Sequence, residues 1–143
     1  MLKRLSQTII ICSLLAGCAA GGEASSSVSP SPAVSTPPAD GGTFATVLDL
    51  KKAYVDAGGP CPSFNQGNRV TLAAESADCD TETVLSTYVS PEDISSVIQN
   101  LKKLDTSSGY KSSTTLLVGK NWIINNKQIA KYREKLGGTV VSF

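Results

Sequence analysis

Ser113-Thr-Thr-Leu-Leu-Val-Gly-Lys-Asn-Trp-Ile-Ile-Asn125 holds two short runs of large apolar residues, Ser113 to Val118 and Asn121 to Asn125, separated by Gly119-Lys120. Runs of this kind favour extended chain, and a two-residue spacer is the length at which a tight β-hairpin closes. This hairpin decides the fold, because the segments on either side of it read as helices. Upstream, Ser90-Pro91 supplies an N-cap and a first-turn proline, Asp93 completes a capping box, and Ile94, Val97, Ile98, Leu101 and Leu104 recur at helical spacing. Downstream, a shorter helix follows Asn125-Asn126, with Ile129, Tyr132 and Leu136 inward and Gly137-Gly138 as its stop.

Further out, Thr46 stands three residues before Asp49 and opens a helix with an apolar stripe of Val47, Leu48, Leu50, Tyr54 and Val55, which Gly58-Gly59 ends. Arg69 to Ala74 alternates Val70, Leu72 and Ala74 with polar residues and reads as a strand, as does Thr83 to Val89. Thr139 to Phe143 reads as a closing strand. The order α-β-β-α-β-β-α-β predicts an α+β domain with a mostly antiparallel sheet and about three helices packed on one face.

The 143 residues leave room for one small domain, and 13 Lys and Arg against 12 Asp and Glu give no net field to attract nucleic acid. The chain has no histidine, which removes the usual zinc sites and the Ser-His and Cys-His nucleophiles. No Walker motif, dinucleotide fingerprint or CxxC is present, so nothing calls for a cofactor.

Lys3 and Arg4 precede thirteen uncharged residues, Leu5 to Gly17, rich in isoleucine and leucine. This is a signal-peptide pattern for residues 1–17, spanning roughly 20 Å as a helix and too short for the roughly 30 Å of a bilayer core. Leu15-Ala16-Gly17-Cys18 resembles the lipobox of bacterial lipoproteins. That resemblance implies a cleaved precursor whose Cys18 carries a thioether-linked diacylglycerol and anchors the chain on the extracytoplasmic side of the cell membrane; two acyl chains give the stable anchoring that one does not. From Ala19 to Gly42, nineteen of twenty-four residues are Ala, Gly, Ser or Pro, so residues 18–42 read as the lipidated cysteine and a disordered tether, on the order of 25 Å across as a coil. Residues 43–143 are the extracytoplasmic domain.

With Cys12 in the signal segment and Cys18 taking the lipid, Cys61 and Cys79 remain and are expected to pair in an oxidising compartment, where the closed loop stabilises the fold by about 3 kcal/mol. The tether, the two-cysteine domain, Leu117-Val-Gly-Lys-Asn-Trp-Ile-Ile-Asn125 and Leu136-Gly-Gly-Thr-Val-Val141 together resemble small lipoproteins of actinobacteria and their prophages. The resemblance implies localisation and layout and brings no activity.

Three constellations remain. Glu75, Asp78, Asp80 and Glu82 form the most acidic stretch and raise calcium binding, although the turn glycine and distant glutamate of an EF-hand loop are missing; the competing reading is a solvated loop pinned by the disulfide. Lys127, Lys131 and Lys135 recur every four residues, a candidate basic face of the third helix for anionic lipid or wall polymer. Ser108-Gly-Tyr-Lys111 fits S-x-x-K without the companion motifs of a β-lactamase. Trp122 reads as a core residue of its strand in preference to an anchor for a partner. Together these features point to a membrane-anchored, non-enzymatic interaction module meeting an envelope or phage protein, with superinfection exclusion as one specific form. An enzyme or enzyme inhibitor acting on the envelope is the alternative.

Overall fold

The computed structural model describes residues 36–107 and 113–143. The expected signal segment, Cys18, the expected tether as far as residue 35 and the Ser108–Lys111 match lie outside the described residues. Helix α1 spans Val47–Asp56, strands β1 and β2 Glu75–Asp78 and Val84–Thr87, helix α2 Pro91–Ser107, and strands β3 and β4 Thr115–Val118 and Trp122–Asn125. A 3-10 turn, Ile129–Tyr132, runs into helix α3, Arg133–Leu136, and strand β5, Thr139–Ser142, closes the chain. This is a small α+β domain whose five strands lie in the order β1-β2-β4-β3-β5, each neighbouring pair antiparallel.

Both long helices begin where their capping boxes predict. The Asp49 N–H donates to Thr46 Oγ1 at 3.1 Å and the Asp93 N–H to Ser90 Oγ at 3.2 Å, each satisfying a first-turn donor that has no partner inside its helix. Gly58 at φ +96° lets the chain leave α1, with its N–H on the Val55 carbonyl oxygen. Within α1 the buried residues are Val47, Leu50 and Tyr54, while Leu48 and Val55 face solvent.

The sheet is apolar on both faces. Register aligns Ala77, Leu85, Ile124, Leu117 and Val140 in one row across all five strands, and this row packs on α1, the 3-10 turn and α3. Leu116, Ile123 and Val141 point the other way and pack on Ile94 and Val97 of α2. The expectation of helices on one face is therefore corrected: α1 and α3 share one face and α2 covers the other. The reason is the doublets Leu116-Leu117 and Ile123-Ile124. Neighbouring residues of a strand point to opposite faces, so an apolar doublet requires cover on both sides.

Arg69 to Ala74 is not a strand. Asn68 and Leu72 adopt φ of +47° and +71°, which breaks extended pairing, and the strand lies one step later at β1. The two-residue hairpin connection also shifts by one, to Lys120-Asn121, since the Gly119 N–H donates to the Trp122 carbonyl oxygen at 2.9 Å. Asn121 is then free to clamp the backbone of Phe44, accepting from its N–H at 2.9 Å and donating to its carbonyl at 2.8 Å.

Pro38 to Gly42, which composition places at the end of the tether, are seated on the domain. A turn from Pro38 to Gly41 presents two carbonyls: Gly41 accepts from Trp122 Nε1 at 3.1 Å and Ala39 from the Gly138 N–H at 3.0 Å. Trp122 is fully buried, and without Gly41 its indole N–H would be an unpaired donor in an apolar setting. Phe44 packs edge-on against the same indole, with ring centroids 5.9 Å apart. Cys61 and Cys79 form the expected disulfide, which fastens the segment after α1 to the end of β1.

Candidate binding groove

Carboxylates that look like one cluster in the sequence separate in the fold. Glu75 reaches across to the start of α1, where its carboxylate accepts the Val47 N–H at 2.7 Å and complements the positive end of the helix dipole. Asp78 pairs with Arg69. Asp80 accepts from the N–H groups of Glu82 and Thr83, at 2.7 and 2.6 Å, and closes the turn into β2. Glu82 lies 3.9 Å from Lys127. Among the described residues no three His, Cys, Asp or Glu side chains converge where a metal ion would sit. Glu75, Asp78 and Asp80 hold groups of the fold itself, Glu82 is exposed, and the four do not converge on one ligand.

The lysine series disperses for a different reason. Lys127 precedes the 3-10 turn, and that turn has about three residues per repeat, so a spacing of four moves around its axis instead of along one face. Lys131 Nζ is 2.8 Å from Gln128 Oε1 and lies over the Tyr132 ring, while Lys135 Nζ donates to the Ala57 carbonyl at 3.0 Å and ties α3 to the end of α1. Trp122, fully buried, is closed to partners.

A different region is open. Between the loop at Arg69–Ala73 and the second half of α2 runs a groove over the α2 face of the sheet. Its floor is a cavity of about 130 Å3 lined by Val70, Val84, Val97, Leu101, Leu116 and Ile123, with the buried hydroxyls of Ser86 and Tyr88 at one side. The cavity opens outward past Arg69, Thr71, Asn100 and Leu104, and it also adjoins a polar hollow lined by Ser63, Asn65, Asp78 and Asp80. Tyr88 Oη and Ser86 Oγ are 2.9 Å apart, and Ser86 donates to the Ile123 carbonyl. Burial pushes the Tyr88 hydroxyl above its ordinary pKa, so it stays neutral, and the floor of the groove carries no charge.

Local chemistry builds the loop wall of this groove. The Val70 N–H donates to Ser76 Oγ at 3.0 Å, the Ser76 N–H donates to Asn68 Oδ1 at 2.9 Å, and the Ala74 N–H donates to the Thr87 carbonyl at 2.8 Å. These bonds hold the loop to β1 and β2. The Ala73 N–H reaches back to the Val70 carbonyl at 3.2 Å, closing a four-residue turn with Leu72 in its third position. That position carries positive φ, where glycine is the residue that fits without strain. Leu72 is nonetheless 44% exposed, and on the opposite wall Leu104 is 65% exposed. Leu104 thus stands in solvent at the rim of an apolar trough, and Leu72 sits on a strained backbone in the loop that supplies the trough's other wall.

No protein-family model, curated protein or solved structure matches the chain. The groove's own residues therefore carry its interpretation.

Proposed function

We propose that the chain is a lipid-anchored extracytoplasmic binding module, held at the membrane through Cys18, which uses the groove between the Arg69–Ala73 loop and α2 to take an apolar segment of an envelope or phage protein. The observation that carries this reading is Leu72. A bulky residue in the left-handed region costs of order 1–3 kcal/mol, and with Leu72 44% exposed the domain's own packing offsets only part of that cost. A strained, partly exposed apolar residue in the loop that walls an apolar cavity is suited to contact with a partner. The lipobox at Leu15-Ala16-Gly17-Cys18 supports the anchoring half of the proposal, and the tether supplies the reach.

The anchoring half is tested with globomycin, which blocks lipoprotein signal processing: the precursor should accumulate, and normal processing under the drug would refute lipidation. The binding half is tested by crosslinking capture from the native membrane, with the full chain as bait and Leu72→Gly as control. Recovery of the same envelope or phage protein by wild type and not by the variant supports the reading. Equal recovery by both refutes it.

A further inference from the structure

The sheet has two edges, and the fold treats them differently. At β1 the edge is closed by the chain itself: Asn65 and Asp78 exchange two backbone hydrogen bonds at 2.9 Å, the Ser63 N–H donates to Cys79 and the Asn68 N–H to Ser76, both at 3.1 Å. At β5 the edge is open. Thr114 and Phe143 exchange both backbone bonds, at 3.0 and 3.1 Å, which fixes the alternation along the strand. Leu116 with Val141 and Val118 with Thr139 are then the other bonded pairs, and the N–H and C=O of Val140 and Ser142 point away from β3. The next outward N–H, that of Gly138, is taken by the Ala39 carbonyl, after which the Pro38–Gly42 segment turns away at Gly41. Among the described residues nothing takes the outward groups of Val140 and Ser142.

Edges of this kind are ordinarily protected by a lysine, a proline, a bulge or a covering segment. Thr139-Val-Val-Ser-Phe143 has no charged residue and no proline, its strand pairs with β3 residue for residue, and its side chains are half-buried or exposed. We propose that β5 pairs antiparallel with β5 of a second copy of this chain, joining two five-stranded sheets into one of ten strands. The open groups are two donor–acceptor pairs placed symmetrically about Val141. A two-fold axis at Val141 sets Val140 opposite Ser142 of the second copy and Ser142 opposite Val140, so all four donors and all four acceptors are satisfied and no bond of the existing ladder changes. Val141 then faces its own counterpart, and Thr139 faces Phe143. The lack of charge permits this self-pairing, since any charged residue at the axis would face its like.

The test is the mass of the full chain in detergent by light scattering coupled to size exclusion, across a concentration series, for wild type, Val140→Pro and Ser142→Pro. Each proline removes one outward N–H that the β3 ladder does not use, so the fold is kept while the pairing is lost. Wild type is expected to double its mass with rising concentration, and each variant to need at least about tenfold more protein to do so. A wild type that stays monomeric overturns the proposal, and so does a dimer that both variants leave unchanged. A readout independent of any proline is a photo-reactive residue in place of Ser142. Adducts within Thr139–Phe143 of the second copy are expected, and adducts confined to other segments overturn the pairing.

Discussion

The indole of Trp122 lies over Gly119, three positions earlier, so closely that a Cβ at 119 would overlap the ring. This contact joins the hairpin to the core: Gly119 precedes the turn, Trp122 begins β4, and the indole also bonds Gly41 and packs against Phe44. Replacing Gly119 with alanine must displace either the indole or the Pro38–Gly42 segment. The expected cost is about 1–3 kcal/mol, the range for overpacking a filled core. Urea denaturation followed by Trp122 fluorescence measures it, and a change below about 0.5 kcal/mol, as at an ordinary surface site, would contradict the packing described.

Glu75 acts on α1 from a strand rather than from the helix's own sequence. With its carboxylate 2.7 Å from the Val47 N–H, Glu75→Gln keeps an acceptor but loses the charge facing the helix dipole. The expected loss is about 0.5–1 kcal/mol, and Glu75→Ala is expected to lose more, since the N–H is then unpaired in a half-buried setting. A Glu75→Gln variant as stable as wild type in low salt would show that the charge at this helix end does not matter.

Two tyrosines make the fold sensitive to alkali. Burial raises the pKa of both Tyr54 and Tyr88. The folded protein thus holds protons that the unfolded chain releases at its ordinary tyrosine pKa of about 10, and stability falls as pH rises through and above that value. Below about pH 9 these groups contribute no pH dependence, because both states are protonated. Absorbance titration at 295 nm should show these two residues ionising late and together with the loss of near-ultraviolet circular dichroism. Smooth ionisation of every tyrosine near pH 10, with the fold intact, would contradict their burial.

Leu72→Gly separates stability from binding. Glycine accepts φ +71° freely, so relief of backbone strain opposes the added entropy of the unfolded chain, and the variant is expected to be as stable as wild type or up to about 1 kcal/mol more so. Thermal unfolding checks this. A marked destabilisation would mean that Leu72 is retained for packing, removing the main support for a contact role.

The parts of the fold visible in the sequence are those fixed by local chemistry. Ser90-Pro91 with Asp93 and Thr46 with Asp49 mark helix starts because the capping hydrogen bonds lie within four residues. Glycines mark the ends of α1 and α3 because left-handed backbone favours them. The doublets Leu116-Leu117 and Ile123-Ile124 also held the two-faced burial of the sheet, a signal that reading the runs only as hairpin strands passes over. β1 had no such mark: Glu75-Ser-Ala-Asp78 turns one apolar residue, Ala77, to the core and is a strand because β2 and the Asn65 segment pair with it. Arg69 to Ala74 shows the converse, an alternating pattern bent into a turn by bonds to Ser76 and Thr87 that no local rule supplies. The groove was hidden for the same reason, since Val70 and Leu101 meet only after the sheet has formed. The open edge of β5 depends likewise on which strand becomes the last.

The most direct test of the binding account places a photo-reactive residue at Leu104, on the groove rim, and separately at Leu48, an exposed apolar position on α1. The full chain, expressed in its own membrane, is irradiated in each case. The expected result is a specific envelope or phage protein captured from Leu104 and absent from Leu48, with capture lost when Leu72→Gly is combined with the Leu104 probe. Equal capture from both positions, or capture from Leu104 that Leu72→Gly leaves intact, would contradict the account.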